Sequence, residues 1–393
     1  MALTSASQSS PTPRDDEFAA SEASIPALLG KAVCEHGPRI AMRWKRRGVW
    51  EAVTWTEYGT AVRAVADALE ALSIQPGERI AILSGNRPEW LHVDLGALSA
   101  GCVTVGIDVR QPADRIVDAL KNCGARLAFV DGEEQLEAAL GALSNVPTLE
   151  RIVCFDEHFG PVEPRTSTFA AFLASGRASS ERSAAPAEIA RPAAADAAAM
   201  SQAEAMARLY PGMPGDEQLS VLPLARLDER CFTIYRPLVL GSIVNFGEGP
   251  ANVLDSFREV APHVVMALPD VWEQLHATVV AAIADASPIG RLGYRMALGI
   301  GSAVADHQAA ERPIPLPLRI GALLARLLVL NRVRTMIGLR RARVLISLET
   351  PTPPELTRWY SSLGLRIVAQ GQSAACTESA DSQGAALATI RAR

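Results

Sequence analysis

Along this chain, short unbroken apolar runs alternate with stretches that carry apolar residues on one helical face. Arg79 to Ser84 is such a run and reads as a strand. After it, Asn86 can cap a helix whose first turn holds Pro88, with Trp90, Val93, Leu95 and Leu98 as apolar positions before Gly101 stops it. Val103 to Ile107 is the next strand, and Pro112 to Asn122 a helix with Ile116 and Leu120 on one face. Arg126 to Val130, Glu133 to Leu143 and Arg151 to Phe155 repeat the unit as strand, helix and strand. Strands this apolar fit a sheet buried on both faces, and the alternating order predicts parallel sheets covered by helices.

Residues 161–215 break the rhythm with Pro164, Pro186, Pro192 and many Ala, Ser and Arg, which reads as a linker or loosely packed excursion; Ala193 to Leu209 has helical propensity. The βα order resumes with a strand at Leu219 to Leu222, a helix from Asp228 to Leu240 ended by Gly241, and a strand from Ser242 to Phe246. Asn252 to Val260 (helix), His263 to Ala267 (strand) and Pro269 to Ala284 (helix) follow, then Ala342 to Ile346, Pro353 to Leu363 and Arg366 to Ala369 as strand, helix and strand. Between Leu316 and Ile337 the apolar positions keep helical spacing, but Arg319, Arg326, Arg332 and Arg334 make a bilayer span too costly. Such a stripe either faces the core or lies on an anionic membrane surface with its leucines inserted. The expected organisation is a disordered lead-in (1–23), a first βα subdomain (24–160), a linker (161–215), a second βα subdomain (216–379) and a tail (380–393).

Composition narrows the function classes. With 49% hydrophobic and 21% charged residues and a formal charge of -5, the chain is globular and has no global pull toward nucleic acid. Cys34, Cys102, Cys123, Cys154, Cys231 and Cys376 form neither a CxxC nor a CxxH spacing, which predicts reduced thiols in a cytoplasmic protein rather than a zinc or disulfide framework. The first 20 residues lack the basic-then-apolar order of a secretory signal. The lysines are Lys31, Lys45 and Lys121, so chemistry needing a lysine after position 121 finds none. The six histidines are scattered, and no Gly-x-Ser-x-Gly, His-Glu-x-x-His or Gly-x-Gly-x-x-Gly sequence occurs.

Several stretches in order resemble the AMP-forming acyl-CoA synthetases, particularly their long-chain fatty acid branch. They are Trp50 to Tyr58, Pro76 to Ser84 with Glu89-Trp90, Gly101 to Ile107, Leu219 to Leu224 with Glu229-Arg230, Tyr235 to Leu238 with Gly241-Ser242, and Pro269 to Glu273. The resemblance implies two doubly wound βα subdomains packed face to face, an α/β fold, with ligands at the carboxyl ends of the strands. It also implies ATP, magnesium and coenzyme A as participants in acyl activation.

The parts that would carry that chemistry depart from the family pattern. Where the family has a Gly/Thr/Lys-rich phosphate loop, the stretch Ser183 to Met200 is mostly alanine. Losing three charge-assisted bonds would cost roughly 5–9 kcal/mol, about 10³–10⁶ in affinity. Ser347-Leu348-Glu349-Thr350-Pro351-Thr352 stands where the family carries a glycine pair, and Arg226 where it carries a histidine. The aromatic-Gly-x-Thr-Glu motif survives only in fragments, Gly371 in one alignment and Thr377 with Glu378 in another, and these are the residues through which phosphate and magnesium binding would persist. No match to the family's C-terminal catalytic domain precedes Arg393. These departures predict a catalytically impaired synthetase-like protein that binds a fatty acid, an acyl-CoA, an active homologue or another protein, with no nucleic acid partner. The alternatives are an active long-chain fatty acid–CoA ligase completed by a second chain, or a gene remnant without a role. Peripheral contact at the inner membrane face is a further expectation.

Overall fold

The computed structural model describes residues 24–158, 163–180, 194–210, 212–249, 252–349 and 352–369. The described chain opens with α1 (Ile25–His36), capped by Ser24, and a hairpin of β1 (Ile40–Arg46) and β2 (Val49–Thr54). A capping box of Thr54 and Glu57 then starts α2 (Trp55–Ala71). Next come β3 (Arg79–Leu83), α3 (Pro88–Ser99), β4 (Val103–Ile107), α4 (Ala113–Cys123), β5 (Leu127–Val130), α5 (Glu133–Ala142), β6 (Arg151–Cys154), β7 (Thr166–Thr168) and α6 (Phe169–Ser180). After α7 (Ala194–Leu209) come β8 (Glu217–Ser220), α8 (Leu227–Arg230), a π-helical turn over Cys231–Tyr235, α9 (Arg236–Leu240), β9 (Ile243–Phe246), α10 (Val253–Val260) and β10 (Val264–Ala267). The remainder is α11 (Pro269–Ala284), α12 (Pro288–Ala309), α13 (Leu316–Ala325), a π-helical turn over Arg326–Leu330, α14 (Asn331–Met336), β11 (Val344–Ser347), α15 (Pro354–Ser362) and β12 (Ile367–Ala369).

The strands form two sheets, one in the order β4-β3-β5-β6-β7, the other β12-β11-β10-β8-β9-β1-β2. Every pairing is parallel except the β1–β2 hairpin. Alternation along the strands sends successive residues to opposite faces, and both faces are covered. Ile80, Ile82, Phe129 and Val153 of the first sheet share a core with Val244, Phe246, Val264, Met266 and Ile346 of the second. Ala81, Leu83, Ala128, Val130 and Ile152 pack outward with Ile116, Leu120, Leu136 and Ala139 of α4 and α5. Val265, Ala267 and Leu345 pack on the far side with Trp272, Leu275, Tyr294, Val333 and Tyr360. The expected α/β architecture of two packed, doubly wound sheets is the architecture observed.

Three elements differ from the sequence expectation. The β1–β2 hairpin lies early in the chain, yet β1 pairs in parallel with β9 and so extends the second sheet (Met42 opposite Val244). Residues 161–215, expected as a loose excursion, contain β7, α6 and α7 in their described part. Phe169 and Phe172 of α6 meet Phe129 and Phe155 with ring centroids 5.2–6.2 Å apart, so this stretch helps close the core. The segment after α11 holds α12, a 22-residue helix that packs against α13 and α15.

Candidate functional site

In each sheet the connections diverge at one pair of neighbouring strands, β3 and β5 in the first and β8 and β10 in the second. Such switch points leave a crevice beyond the carboxyl ends of the strands, where open α/β sheets place their ligands. The loops leaving β3 and β8 meet there. Asn86, expected as a helix cap, does not cap α3, whose N-cap is Arg87. Its amide instead reaches the other sheet: Nδ2 donates to Ser220 Oγ (2.9 Å) and to the Leu222 carbonyl (2.6 Å), while Oδ1 accepts from the Leu224 N–H (3.0 Å). This fixes the Leu222-Pro223-Leu224 turn on the first sheet. Gly106 of β4 is required by the same approach, since a Cβ there would lie 2.7 Å from the Ala225 Cα.

Beneath this junction lies a buried polar network. Asp94 of α3 accepts from Thr104 Oγ1 at one oxygen and from the Tyr235 hydroxyl (2.8 Å) at the other. Arg230 stands 3.8 Å from Asp94 and stacks over the Trp90 ring at 4.8 Å. Burial first, and then the Asp94 charge, pushes the Tyr235 phenol far above its usual range, so the hydroxyl acts only as a donor to Asp94. Glu229, fully buried, accepts from Ser220 Oγ (2.9 Å) and Thr233 Oγ1 (2.8 Å) through one oxygen, and its second oxygen has no partner. Burial raises its pKa to about 8, so this carboxyl is mostly protonated at neutral pH.

At the mouth of the crevice the substituted positions meet each other. Arg226 grips Asp228 with two bonds (3.1 and 2.8 Å) and reaches Glu349, beyond β11, at 2.6 Å. The neighbouring carboxylates outweigh the desolvation of Arg226 and raise its pKa. Glu349 stands at φ 65°, in the left-handed region that favours glycine. Leu348 is fully buried in the core between the sheets, and Thr352 donates to Ser347 Oγ (2.9 Å). The two places where the sequence pattern expects glycines are therefore filled, one by a core side chain and the other by an ion pair. In the described part of the alanine-rich stretch, α7 runs from Ala194, with Met200, Ala203 and Met206 buried. Gly371, Thr377 and Glu378, as well as residues 183–193 of the expected phosphate-loop stretch, lie outside the described residues.

Among the described residues, no group of three or more His, Cys, Asp or Glu side chains is placed to hold a metal ion, and no helix is long and apolar enough to cross a membrane. Sequence reasoning did find Arg226 and Glu349 as departures. It did not find that they pair, nor the Asn86 clamp or the Asp94–Tyr235–Arg230 network, because their partners are 123 to 141 residues away in the chain.

The fold and motifs agree with known proteins. Residues 30–191 match the family of AMP-binding enzymes. The chain is 24% identical over 372 residues to the rat long-chain-fatty-acid–CoA ligase ACSBG2, covering 87% of this chain and 55% of that protein. It is 25% identical over 380 residues to the Drosophila melanogaster long-chain-fatty-acid–CoA ligase heimdall, again with 87% and 55% covered. The chain thus spans about half the length of these curated relatives. Its fold is that of the N-terminal domain of FACL13 from Mycobacterium tuberculosis (TM-score 0.55, 15% identity, 88% of this chain and 75% of that one). The anthranilate CoA ligase AuaEII shares it as well (TM-score 0.61, 15% identity, 88% and 58% covered). Residues 30–191 therefore carry the match to the AMP-binding enzymes, the chain is similar to long-chain-fatty-acid–CoA ligases, and its fold is that of the N-terminal domains of acyl-CoA ligases.

Proposed function

We propose that this chain is a catalytically impaired relative of the long-chain-fatty-acid–CoA ligases that acts by binding an acyl ligand or a protein partner in fatty acid metabolism. The observation that carries this reading is the Asp228–Arg226–Glu349 cluster across the carboxyl ends of β8 and β11, with Glu349 held at a glycine-favouring φ. A carboxylate there repels the phosphates of a nucleotide, and the buried Leu348 removes the space a glycine would leave. No lysine follows Lys121 to offset that charge. The cysteine spacings, without a CxxC or CxxH pair, fit a reducing compartment such as the cytoplasm, and the described cysteines are free.

The test is titration calorimetry of the chain with ATP–magnesium together with an assay of fatty-acid-dependent pyrophosphate release. The expected outcome is no measurable heat and no release above a no-enzyme control. Tight ATP binding or pyrophosphate release overturns the reading. A second reading, favoured by the similarity to long-chain-fatty-acid–CoA ligases, is an active ligase completed by a second chain. Thioester formation on coexpression with C-terminal domains of such ligases would establish it, and persistent inactivity eliminates it.

A further inference from the structure

Outside the crevice, the largest departure from an ordinary surface lies on α12 and on the helix that runs through α13, the second π-helical turn and α14. Ile289, Leu292 and Met296 of α12 are exposed, Ile289 at 84%. Leu316, Ile320, Leu323, Leu324, Leu327 and Leu328 are exposed on the neighbouring helix, each above half. At 100° per residue the four in α13 (Leu316, Ile320, Leu323 and Leu324) fall within an arc of about 100°, with Arg319 just beyond one edge, and Arg326, Leu327 and Leu328 follow in the π-helical turn. The α12 stripe continues to Ile300, whose side chain lies against Gly321 of α13, so the two apolar stripes adjoin. Ala325, on the other side of α13, is buried. The leucines are therefore left over after the core is filled.

Charge distinguishes the possible occupants of this face. The whole chain carries -5, yet residues 288–343 contain ten arginines against Asp306 and Glu311, a local excess of +8. Arg291, Arg295, Arg319, Arg326, Arg332 and Arg340 are exposed, and none pairs with a carboxylate among the described residues. Arg332 and Arg340 line an open depression with Asn331, Thr335 and Met336. An apolar face rimmed by unpaired guanidinium groups matches the boundary between the acyl and headgroup layers of a bilayer with acidic lipids. A second copy of this chain would bring the same positive rim against itself, and an ordinary core-facing stripe would not leave the leucines exposed.

We propose that the α12–α14 face seats this protein on the surface of an anionic phospholipid bilayer, with the leucines in the interfacial layer and the arginines on lipid phosphates. The inference stands whether or not the crevice binds an acyl ligand.

The experiment is flotation of the full chain with vesicles of neutral phosphatidylcholine alone, or with about 30% phosphatidylglycerol, at low and high salt. Expected are binding to the acidic vesicles, weak binding to the neutral ones, and loss of most binding in high salt, as screening requires. Arg319→Ser with Arg326→Ser should weaken binding about 25-fold, roughly fivefold for each charge at the surface. Leu327→Asp with Leu328→Asp should weaken it more than tenfold. Both pairs are exposed, and unchanged thermal melts would show that the fold persists. Absence of vesicle binding overturns the proposal, as does equal binding of the leucine variant. A concentration-dependent dimer that the leucine variant dissociates, without vesicle binding, would assign the face to self-association instead and equally overturn it.

Discussion

Replacing Glu349 by glycine separates two accounts of the ion pair at the crevice mouth. The 2.6 Å contact with Arg226 has the geometry of a strong charge-assisted bond, which would suggest a loss of several kcal/mol on removal. Three other terms decide the sign. An L residue in the left-handed region costs about 1–2 kcal/mol, which glycine recovers. Glycine in turn adds about 0.4–1 kcal/mol of unfolded-chain entropy. The pair itself is 33% and 52% exposed, so solvent screening leaves it about 0–1 kcal/mol, and Arg226 keeps its two bonds to Asp228. Glu349→Gly should therefore change stability by no more than about 1.5 kcal/mol in either direction. Urea unfolding of the single variants, of Arg226→Ala and of the double variant gives the coupling energy, expected below about 1 kcal/mol. A coupling above about 2 kcal/mol, or an equal loss in Glu349→Gly alone, would mean that the pair holds the fold together and would refute its assignment as a solvated plug. The same variant should still show no ATP–magnesium heat, because opening the mouth supplies no phosphate anchor.

Asn86→Ala removes three bonds between the sheets and leaves the Leu224 N–H without its partner, so urea unfolding should show a loss of about 2–4 kcal/mol. Asp94→Ala leaves the buried Arg230 without its counterion and should cost about 3–5 kcal/mol by the same measurement, whereas Asp108→Ala, which breaks an exposed pair with Arg110, should cost under about 1 kcal/mol. Glu229 gives a pH dependence: its folded pKa of about 8 lies above the ordinary 4.5, so its contribution is complete below 4.5 and is lost as pH rises through 8. His92, held at about 4 by burial, acts in the opposite sense between 4 and 6.5, so melts should reveal a net fall of about 2 kcal/mol between pH 6.5 and 8 that Glu229→Gln abolishes.

What could be read from the sequence depended on how locally each element is specified. β3, β4 and β5 are apolar on both faces and flanked by turn residues, so their period and limits are unambiguous. The β1–β2 hairpin was missed because Arg43, Lys45, Arg46 and Glu51 interrupt its apolar pattern and its turn is Arg47-Gly48 rather than Asn-Gly; Arg47 nevertheless takes φ 50° and Gly48 φ 78°, as a type I′ turn requires. α12 was missed for a different reason. Gly290, Gly293, Gly299 and Gly301 dilute its apolar period, and Gly301 is fixed by tertiary contact, since a Cβ there would sit 2.0 Å from the Ser362 carbonyl oxygen. At the site, residue identity revealed which positions had changed, but the pairing of Arg226 with Glu349 follows from the strand order, which no local pattern encodes.

That strand order also explains why the fold tolerates the changes at the crevice. Gly106 and Gly338 are held by packing: a Cβ at Gly106 would meet the Ala225 backbone at 2.7 Å, and one at Gly338 would lie 2.2 Å from the Phe257 carbonyl. Neither can be replaced without moving one element against another. The side chain of Leu348 instead enters the shared core, and that of Glu349 is exposed, so neither meets a fixed backbone in the way a Cβ at Gly106 or Gly338 would. Leu348 adds to the core between the sheets, and Glu349 accepts backbone strain that one exposed ion pair only partly offsets. The exposed Arg226–Glu349 pair is therefore peripheral to the stability of the two-sheet scaffold, whereas Leu348 is part of its core. The Arg226–Glu349 pair lies apart from Asn86, Asp94 and the buried strands, so a change of side chain at position 349 leaves the bonds that join the two sheets in place.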